Sequence, residues 1–251
     1  MRALIGYTGF VGANMLQRGS FDALYNSVNS AEMRGRHFAE VVCSGVSAVK
    51  WKANKDPEGD KNAIDALIGN LQHLRADRFV LISTVDIYSR AMDVDEDTYP
   101  EENTQAYGRN RRYLERWVEH HFGNHHIIRL PALYGTGLKK NAIYDLCNGK
   151  MVDQINPLSE FQWYDVRRLN EDLQHIILEG GPIFNISPEP VAMMQVVKNF
   201  FPRVSLTSSD VPPVKYDVQT KFSRVLGGSG KYHFSVDQVL KGIGNFVANG
   251  I

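Results

Sequence analysis

The stretch Ala3-Leu4-Ile5-Gly6-Tyr7-Thr8-Gly9-Phe10-Val11-Gly12 decides the fold. A short apolar run ends in three glycines spaced three apart, and a helical pattern follows through Ala13, Met15 and Leu16. The order predicts a strand over 2–6, a tight turn, and a helix over 11–19. Such a turn lets backbone N–H groups approach a pyrophosphate, and the free N–H groups of the first helical turn favour its negative charge. Gly-x-x-Gly-x-x-Gly departs from the Gly-x-Gly-x-x-Gly of the common dinucleotide fingerprint, but the mechanics are shared. Gly6, Thr8, Gly9, Phe10, Val11 and Gly12 are therefore candidate ligand-binding residues.

Outward from this turn, apolar runs alternate with helical patterns, which favours an α/β chain with a parallel sheet. Strands are expected over 23–28, 40–44, 78–83, 126–130 and 182–186. Helices are expected over 60–74, 106–122, 140–148, 166–179, 192–201 and 236–247, with a short, partly helical piece over 30–36. In the helix over 60–74, Ile64, Leu67, Ile68, Leu71 and Leu74 share one side. A full βαβ unit takes about thirty residues. The chain between 23 and 44 holds only one compressed unit, so the sheet is expected to lack an edge strand. The stretch 204–230, with Pro212, Pro213, Gly227, Gly228 and Gly230, reads as a mobile loop.

Lys and Arg together number 28, as do Asp and Glu, so the 251-residue chain is near neutral. That disfavours nucleic acid or an anionic membrane as the main partner. No apolar run approaches a membrane span, and no signal-peptide pattern precedes the first strand. The two cysteines, Cys43 and Cys147, lie in no metal-type spacing and read as small core residues of a reducing compartment. A cytoplasmic location is the expectation. His120, His121, His125 and His126 fall as consecutive pairs at a helix end, not four apart on one face, so no metal site is expected.

Two further segments carry chemistry. Ser83-Thr84-Val85-Asp86-Ile87-Tyr88 follows a central strand, and Tyr107-Gly108-Arg109-Asn110-Arg111 opens a long helix. Ligands of open α/β sheets sit beyond the carboxyl ends of the strands, where Thr84 belongs. Tyr107 and Arg111 are four apart and share a helix face. A cation one turn from a phenol favours the phenolate and is expected to lower the Tyr107 pKa. A hydroxyl from Ser83 or Thr84 then binds the oxygen of a reacting carbinol or carbonyl.

The Gly6–Gly12 turn, Val41-Val42-Cys43-Ser44-Gly45, the strand ending at Thr84 with Ile87-Tyr88, Tyr107 with Arg111, and Arg129-Leu130-Pro131-Ala132-Leu133-Tyr134-Gly135 stand in one order. In that order and spacing the chain resembles the extended short-chain dehydrogenase/reductase family, which includes nucleotide-sugar epimerases, dehydratases and reductases. The resemblance is good over residues 1–200 and poor over the last fifty. It implies an α/β, Rossmann-like, doubly wound parallel sheet with a small C-terminal substrate lobe. Residues 1–138 would be the NAD(P)-binding part, and 139–251 a lobe interleaved with it. It implies an NAD(P)-dependent oxidoreductase, epimerase or dehydratase acting on a sugar or nucleotide-sugar, as a possible homodimer through the helices over 60–74 and 106–122.

By the same resemblance Thr84 is the hydroxyl member of the catalytic set, Tyr107 the acid/base, and Arg111 the position of that family's lysine. Gly45 would pass beside the cofactor ribose, and Leu133 would lie near the nicotinamide. Asn62 aligns with a family asparagine. Asp86 sits where some dehydratases carry an acid, although Val85 breaks their paired-acid pattern, and a turn or capping role fits it better. Arg111 keeps the lysine's charge but has a planar fork, so the exchange is not conservative; it is either the electrostatic partner of Tyr107 or a solvated helix-face charge. No acid follows the second strand to grip a ribose 2′-hydroxyl, and Arg34 and Arg36 come soon after, which favours NADP over NAD. Trp163 and Tyr164 are candidate substrate contacts or packing residues, and Lys139 and Lys140 candidate diphosphate contacts or surface charges. The Arg111 exchange also leaves open a non-catalytic dinucleotide-binding sensor or partner-binding protein on the same fold.

Overall fold

The computed structural model describes residues 1–100, 105–206 and 210–249. Six strands form the central sheet: β1 (Arg2–Ile5), β2 (Ala23–Tyr25), β3 (Glu40–Cys43), β4 (Phe79–Thr84), β5 (His125–Leu130) and β6 (Ile183–Asn185). All are parallel, in the order β2-β1-β3-β4-β5-β6. The chain leaves β1 in one direction to β2 and returns past it to β3, so the order reverses beside β1. That reversal opens the crevice in which such sheets bind ligands.

Strand residues alternate between two apolar layers, as a sheet buried on both faces requires. Ala3, Ile5, Val41, Cys43, Phe79 and Leu81 face one layer. Leu4, Val42, Val80, Ile128 and Leu130 face the other. The first layer is closed by α3 (Pro57–Leu71) through Ile64 and Leu71 and by α4 (Ala106–His121) through Leu114 and Val118. The second is closed by α1 (Phe10–Arg18) through Met15 and by α6 (Leu169–Glu179) through Leu169, Leu173 and Ile176. A third apolar cluster joins α5 (Ala142–Asn148), α7 (Met193–Phe200) and α8 (Val236–Ala248) over the carboxyl side, around Ile143, Trp163, Val196 and Ile243.

β2 is an edge strand, and between it and β3 the chain makes only a 3-10 turn (Ser30–Met33) and a two-residue pairing of His37–Phe38 with Arg75–Ala76. The expected edge strand is thus missing. The segment expected as a loop over 204–230 is corrected in its described part. Asp217–Val218 pairs with Met92–Val94, Val218 is fully buried, and a 3-10 turn covers Ser223–Leu226. Residues 207–209 of that segment lie outside the described residues. No described helix is long and apolar enough to cross a membrane.

The most demanding feature of the interior is an ion pair. Glu115 of α4 is 0% exposed and Arg129 of β5 is 1% exposed. Arg129 Nη2 donates to Glu115 Oε2 at 2.9 Å and Nε donates to Oε1 at 3.1 Å. Ser83 Oγ donates to the same Oε1 at 2.6 Å, and Arg129 Nη1 donates to the Tyr88 hydroxyl at 2.8 Å. Taking two charges out of water costs several kcal/mol each, and only such complete pairing offsets it. Removing Glu115 leaves the Arg129 charge buried without a counterion, whereas Glu115 has a second partner in Arg112, whose Nη1 donates to Oε2 at 3.2 Å. Glu115→Leu is expected to cost about 3–5 kcal/mol in urea unfolding. Glu115→Leu combined with Arg129→Met is expected to cost less than the single change. A single variant within about 1 kcal/mol of the parent chain would contradict this.

Candidate active site

The glycine turn is built from contacts that exclude side chains. Gly6 has φ +86°, and a Cβ there would lie 2.5 Å from the Ser44 carbonyl oxygen. A Cβ on Gly12 would lie 2.2 Å from the Gly6 oxygen. Gly6 is therefore required by its positive φ and by close backbone approach, and Gly12 by close backbone approach alone. Gly9 is the N-cap of α1 and no side chain caps the helix, so the N–H groups of Phe10, Val11 and Gly12 have no intrahelical partners. Thr8 and Gly9 are exposed at the mouth of this turn. Gly45, after β3, packs against Ile5 so closely that a Cβ would stand 3.0 Å from its Cγ2. The turn and the loop after β3 thus touch, and together they form the floor of the crevice.

Leu133 lies on the short strand Ala132–Tyr134, which pairs with Trp163–Asp165 and leads into the loop through Thr136. Buried Asn14 clamps this loop to α1. Its Nδ2 donates to the carbonyls of Phe10 and Thr136, both at 2.9 Å, and its Oδ1 accepts from Thr136 N at 3.1 Å. Arg34 is elsewhere. Its Nε donates to Asn70 Oδ1 at 2.8 Å, near the end of α3 that leads back to the start of β4. The next residue, Gly35, bonds the His73 carbonyl there. The structure therefore separates Arg34 from the glycine turn, because the shortened crossover drops straight toward β3. Arg36 is likewise engaged, donating to the Tyr25 hydroxyl at 2.6 Å.

Tyr107, Arg111 and Glu115 recur every four residues along α4, so they form one row facing the sheet. Glu115 is locked to Ser83 and Arg129, which fixes the sliding position of α4 against β4. Tyr107 consequently lies beside Thr84, whose hydroxyl favours the phenolate. The first turn of α4 is held by Asn54 of α2 (Lys50–Lys55), whose Oδ1 accepts from Tyr107 N at 2.9 Å. Arg111 is not solvated: only 5% of it is exposed. Its guanidinium carbon lies 4.1 Å from the centroid of the Tyr107 ring. Its fork donates to Asp60 of α3 and to the Ser47 carbonyl. This arginine ties the loop after β3 to α3 and α4 with the donors that a lysine would aim at a ligand.

The expectation of a lowered Tyr107 pKa is corrected. Burial raises it, and this outweighs the favourable charges of Arg111 and Lys50 and the nearby Thr84 hydroxyl, while Asp86 also raises it. A phenol 7% exposed loses more hydration as phenolate than one stacked, partly neutralised guanidinium returns.

Asp86 is more than a turn residue. Its backbone N–H donates to Thr84 Oγ1 at 3.1 Å, while its Oδ1 accepts from Lys50 Nζ and from the Tyr216 hydroxyl, each at 2.8 Å. Lys50, Asp86, Gly108 and Tyr216 line a cavity of about 370 Å3 that also reaches Arg90 and Lys215. Lys50 and Tyr216 escaped the sequence reading, the first inside a short helix without periodic signal, the second in the expected loop. Glu115 was legible only as the third member of a four-residue spacing from Tyr107.

The remaining candidates have other duties. Trp163 and Tyr164 are 2% and 1% exposed, and the Tyr164 hydroxyl donates to Asp172 at 2.7 Å, so both are packing residues. Lys140 Nζ donates to the Ala48 carbonyl at 2.6 Å, across to the loop after β3. His121 stacks on Trp117, whereas the Nδ1 atoms of His120 and His125 lie 2.6 Å and 2.8 Å from backbone carbonyls. Cys43 is buried, which pushes its thiol up to about 11.

No protein-family model and no curated protein matches the chain. Solved structures match it in three dimensions. A UDP-glucose 4-epimerase from Thermotoga maritima, solved with UDP-glucose, gives a TM-score of 0.73 at 12% identity over 99% of each chain. A dTDP-4-dehydrorhamnose reductase from Bacillus anthracis, in complex with NADP, gives 0.72 at 15% identity over 99% of this chain and 98% of that one. A dTDP-glucose 4,6-dehydratase double mutant from Streptomyces venezuelae, with NAD bound, gives 0.72 at 12% identity over 99% and 96%. The chain shares the fold of these three enzymes over 99% of its length.

The corrected electrostatics can be measured without a ligand. In protein labelled with 13C at tyrosine Cζ, Tyr107 is expected to titrate above the ordinary tyrosine value of 10, and Arg111→Met should move it higher still. Titration below 10 would contradict the dominance of burial.

Proposed function

We propose that this protein is an NAD(P)-dependent enzyme acting on the carbinol or carbonyl carbon of a sugar nucleotide. The observation that carries the reading is the convergence of three elements at the carboxyl ends of the strands: the uncapped glycine turn, the loop through Ser44 and Gly45, and the Thr84–Tyr107 pair. The fold neighbours support it, since those named above are solved with UDP-glucose, NADP or NAD.

The residues present fit a dinucleotide. The cradle at Gly6 and Gly12 is one that a Cβ would fill, and the N–H groups of Phe10, Val11 and Gly12 would hold the pyrophosphate. Gly45 and Leu133 would flank the rest of the cofactor, which, when bound, gives or accepts hydride. Tyr107 moves the proton at the substrate oxygen, and the Thr84 hydroxyl binds that same oxygen. Arg111 lies under the phenol ring and limits the cost of its ionised form. The buried surroundings keep Tyr107 protonated between turnovers, so donation to a forming alkoxide is its favoured direction. The preference for NADP rests on the lack of an acid after β2, where Asn26 and Asn29 bond each other and the local backbone, and no longer on Arg34.

A second reading, a dinucleotide-binding sensor without turnover, is favoured by one observation: the fork of Arg111 is spent on Asp60 and Ser47. Fluorescence titration with NADPH and NADH tests what the two readings share. One of the two cofactors should bind, and Gly12→Ala should weaken it roughly tenfold or more. No binding of either cofactor would end both readings. Turnover of sugar nucleotides separates them. Tyr107→Phe should keep cofactor binding and lower turnover by about 10²–10⁴. A parent chain that binds cofactor yet converts no sugar nucleotide supports the sensor.

A further inference from the structure

The chain carries a cation in its cavity that neither the sequence pattern nor the fold accounts for. Lys50 enters from the start of α2, and its side chain is 42% exposed. Its ammonium donates to Asp86 at 2.8 Å and lies 3.3 Å from the Tyr216 hydroxyl. An ammonium has three donors, so one is left for the cavity. Asp86 is 20% exposed, and both of these donors meet its Oδ1. Among the described residues, nothing donates to Oδ2. The result is a donor and an acceptor side by side on one wall, with the Asp86 backbone N–H bonded to the Thr84 hydroxyl oxygen. Tyr216 keys the two together from the C-terminal lobe.

We propose that Lys50 is a specificity-determining residue, which with Asp86 reads two adjacent hydroxyls on the ring of the substrate. A hydroxyl both donates and accepts. One ring hydroxyl can accept from Lys50, and its neighbour can donate to Asp86 Oδ2. A methylene in place of either hydroxyl would forgo one hydrogen bond to a charged group while Lys50 and Asp86 keep each other, and this favours hydroxylated over deoxygenated rings. The arrangement also divides labour. Arg111 keeps charge beneath the Tyr107 ring while its donors hold the protein together. Lys50 supplies the mobile, ligand-facing donor that a lysine on α4 would otherwise give. The inference rests on the sugar-nucleotide reading and narrows it to vicinally hydroxylated rings.

The experiment is calorimetric titration of the full chain with UDP, dTDP, UDP-glucose, dTDP-glucose and UDP-glucuronic acid. NADPH and NADH are titrated in parallel. At least one sugar nucleotide should bind about tenfold more tightly than its own diphosphate, as expected of hydrogen bonds to charged groups. Lys50→Met should erase that advantage while leaving diphosphate and cofactor affinities within about twofold. Tyr216→Phe, which keeps the ring and removes the keying hydroxyl, should lose part of it. The inference is overturned if no sugar nucleotide gains over its diphosphate, or if Lys50→Met retains the gain. Failure of NADPH and NADH to bind the parent chain counts against the proposed function instead, and leaves the sugar arm to be judged on its own result.

Discussion

The buried pair of Glu115 and Arg129 is the constraint on which the arrangement of the candidate site depends. Helix α4 is rich in charge, and its apolar contacts through Leu114 and Val118 hold it to the sheet without fixing its slide. A desolvated carboxylate that must meet a guanidinium from β5 and a hydroxyl from β4 has one position only. Two turns back along the same face, that position sets Tyr107 opposite Thr84. The network continues through the Tyr88 hydroxyl to the Asp95 carbonyl at 2.6 Å and to Asn185 of β6 at 3.2 Å. One set of polar contacts therefore aligns α4, three strands and the segment leading from β4.

Arg111 illustrates how a change of one cation redistributes roles. A lysine at this place is a point charge on a flexible stem. An arginine presents a rigid fork and is less strongly hydrated, so it can be buried among protein acceptors. Here the fork bridges Asp60 and Ser47 and lies flat on the phenol, which turns a ligand-facing position into a brace for the loop after β3. The electrostatic part of the role survives in weakened form, because Asp60 shares the charge. The cavity wall then needs a cation from elsewhere, and Lys50 stands where one is available.

The sheet and its missing edge were legible from the sequence because both follow from local patterns: alternating apolar runs, the glycine spacing, and a crossover too short for a full unit. The glycine turn was legible for the same reason, whereas the joint role expected of Thr84 and Tyr107 came from the family resemblance. What failed was anything that depended on where a polar side chain finds its partner. Glu115 reads as one of several charges on a solvated helix, and only the distant Arg129 reveals it as interior. Arg34 follows β2 closely in sequence, yet the compressed crossover carries it down to Asn70. Tyr216 lies beyond two prolines in a stretch with no period, and it reaches the cavity because Asp217–Val218 finds the unpaired edge of Met92–Val94. The sign of the Tyr107 shift failed for a related reason, since burial is a property of the packed site and not of residue spacing.

The proposed chemistry requires that a dinucleotide held by the opening turn present its reactive ring to the Tyr107 phenol. A crystal structure of the full chain with NADPH tests this most directly. The pyrophosphate is expected on the N–H groups of Phe10, Val11 and Gly12, with the nicotinamide ring facing the Thr84–Tyr107 pair and space for a reacting carbon about 3–3.5 Å from the ring. A dinucleotide bound away from the glycine turn, or one whose ring points away from Tyr107, would contradict it.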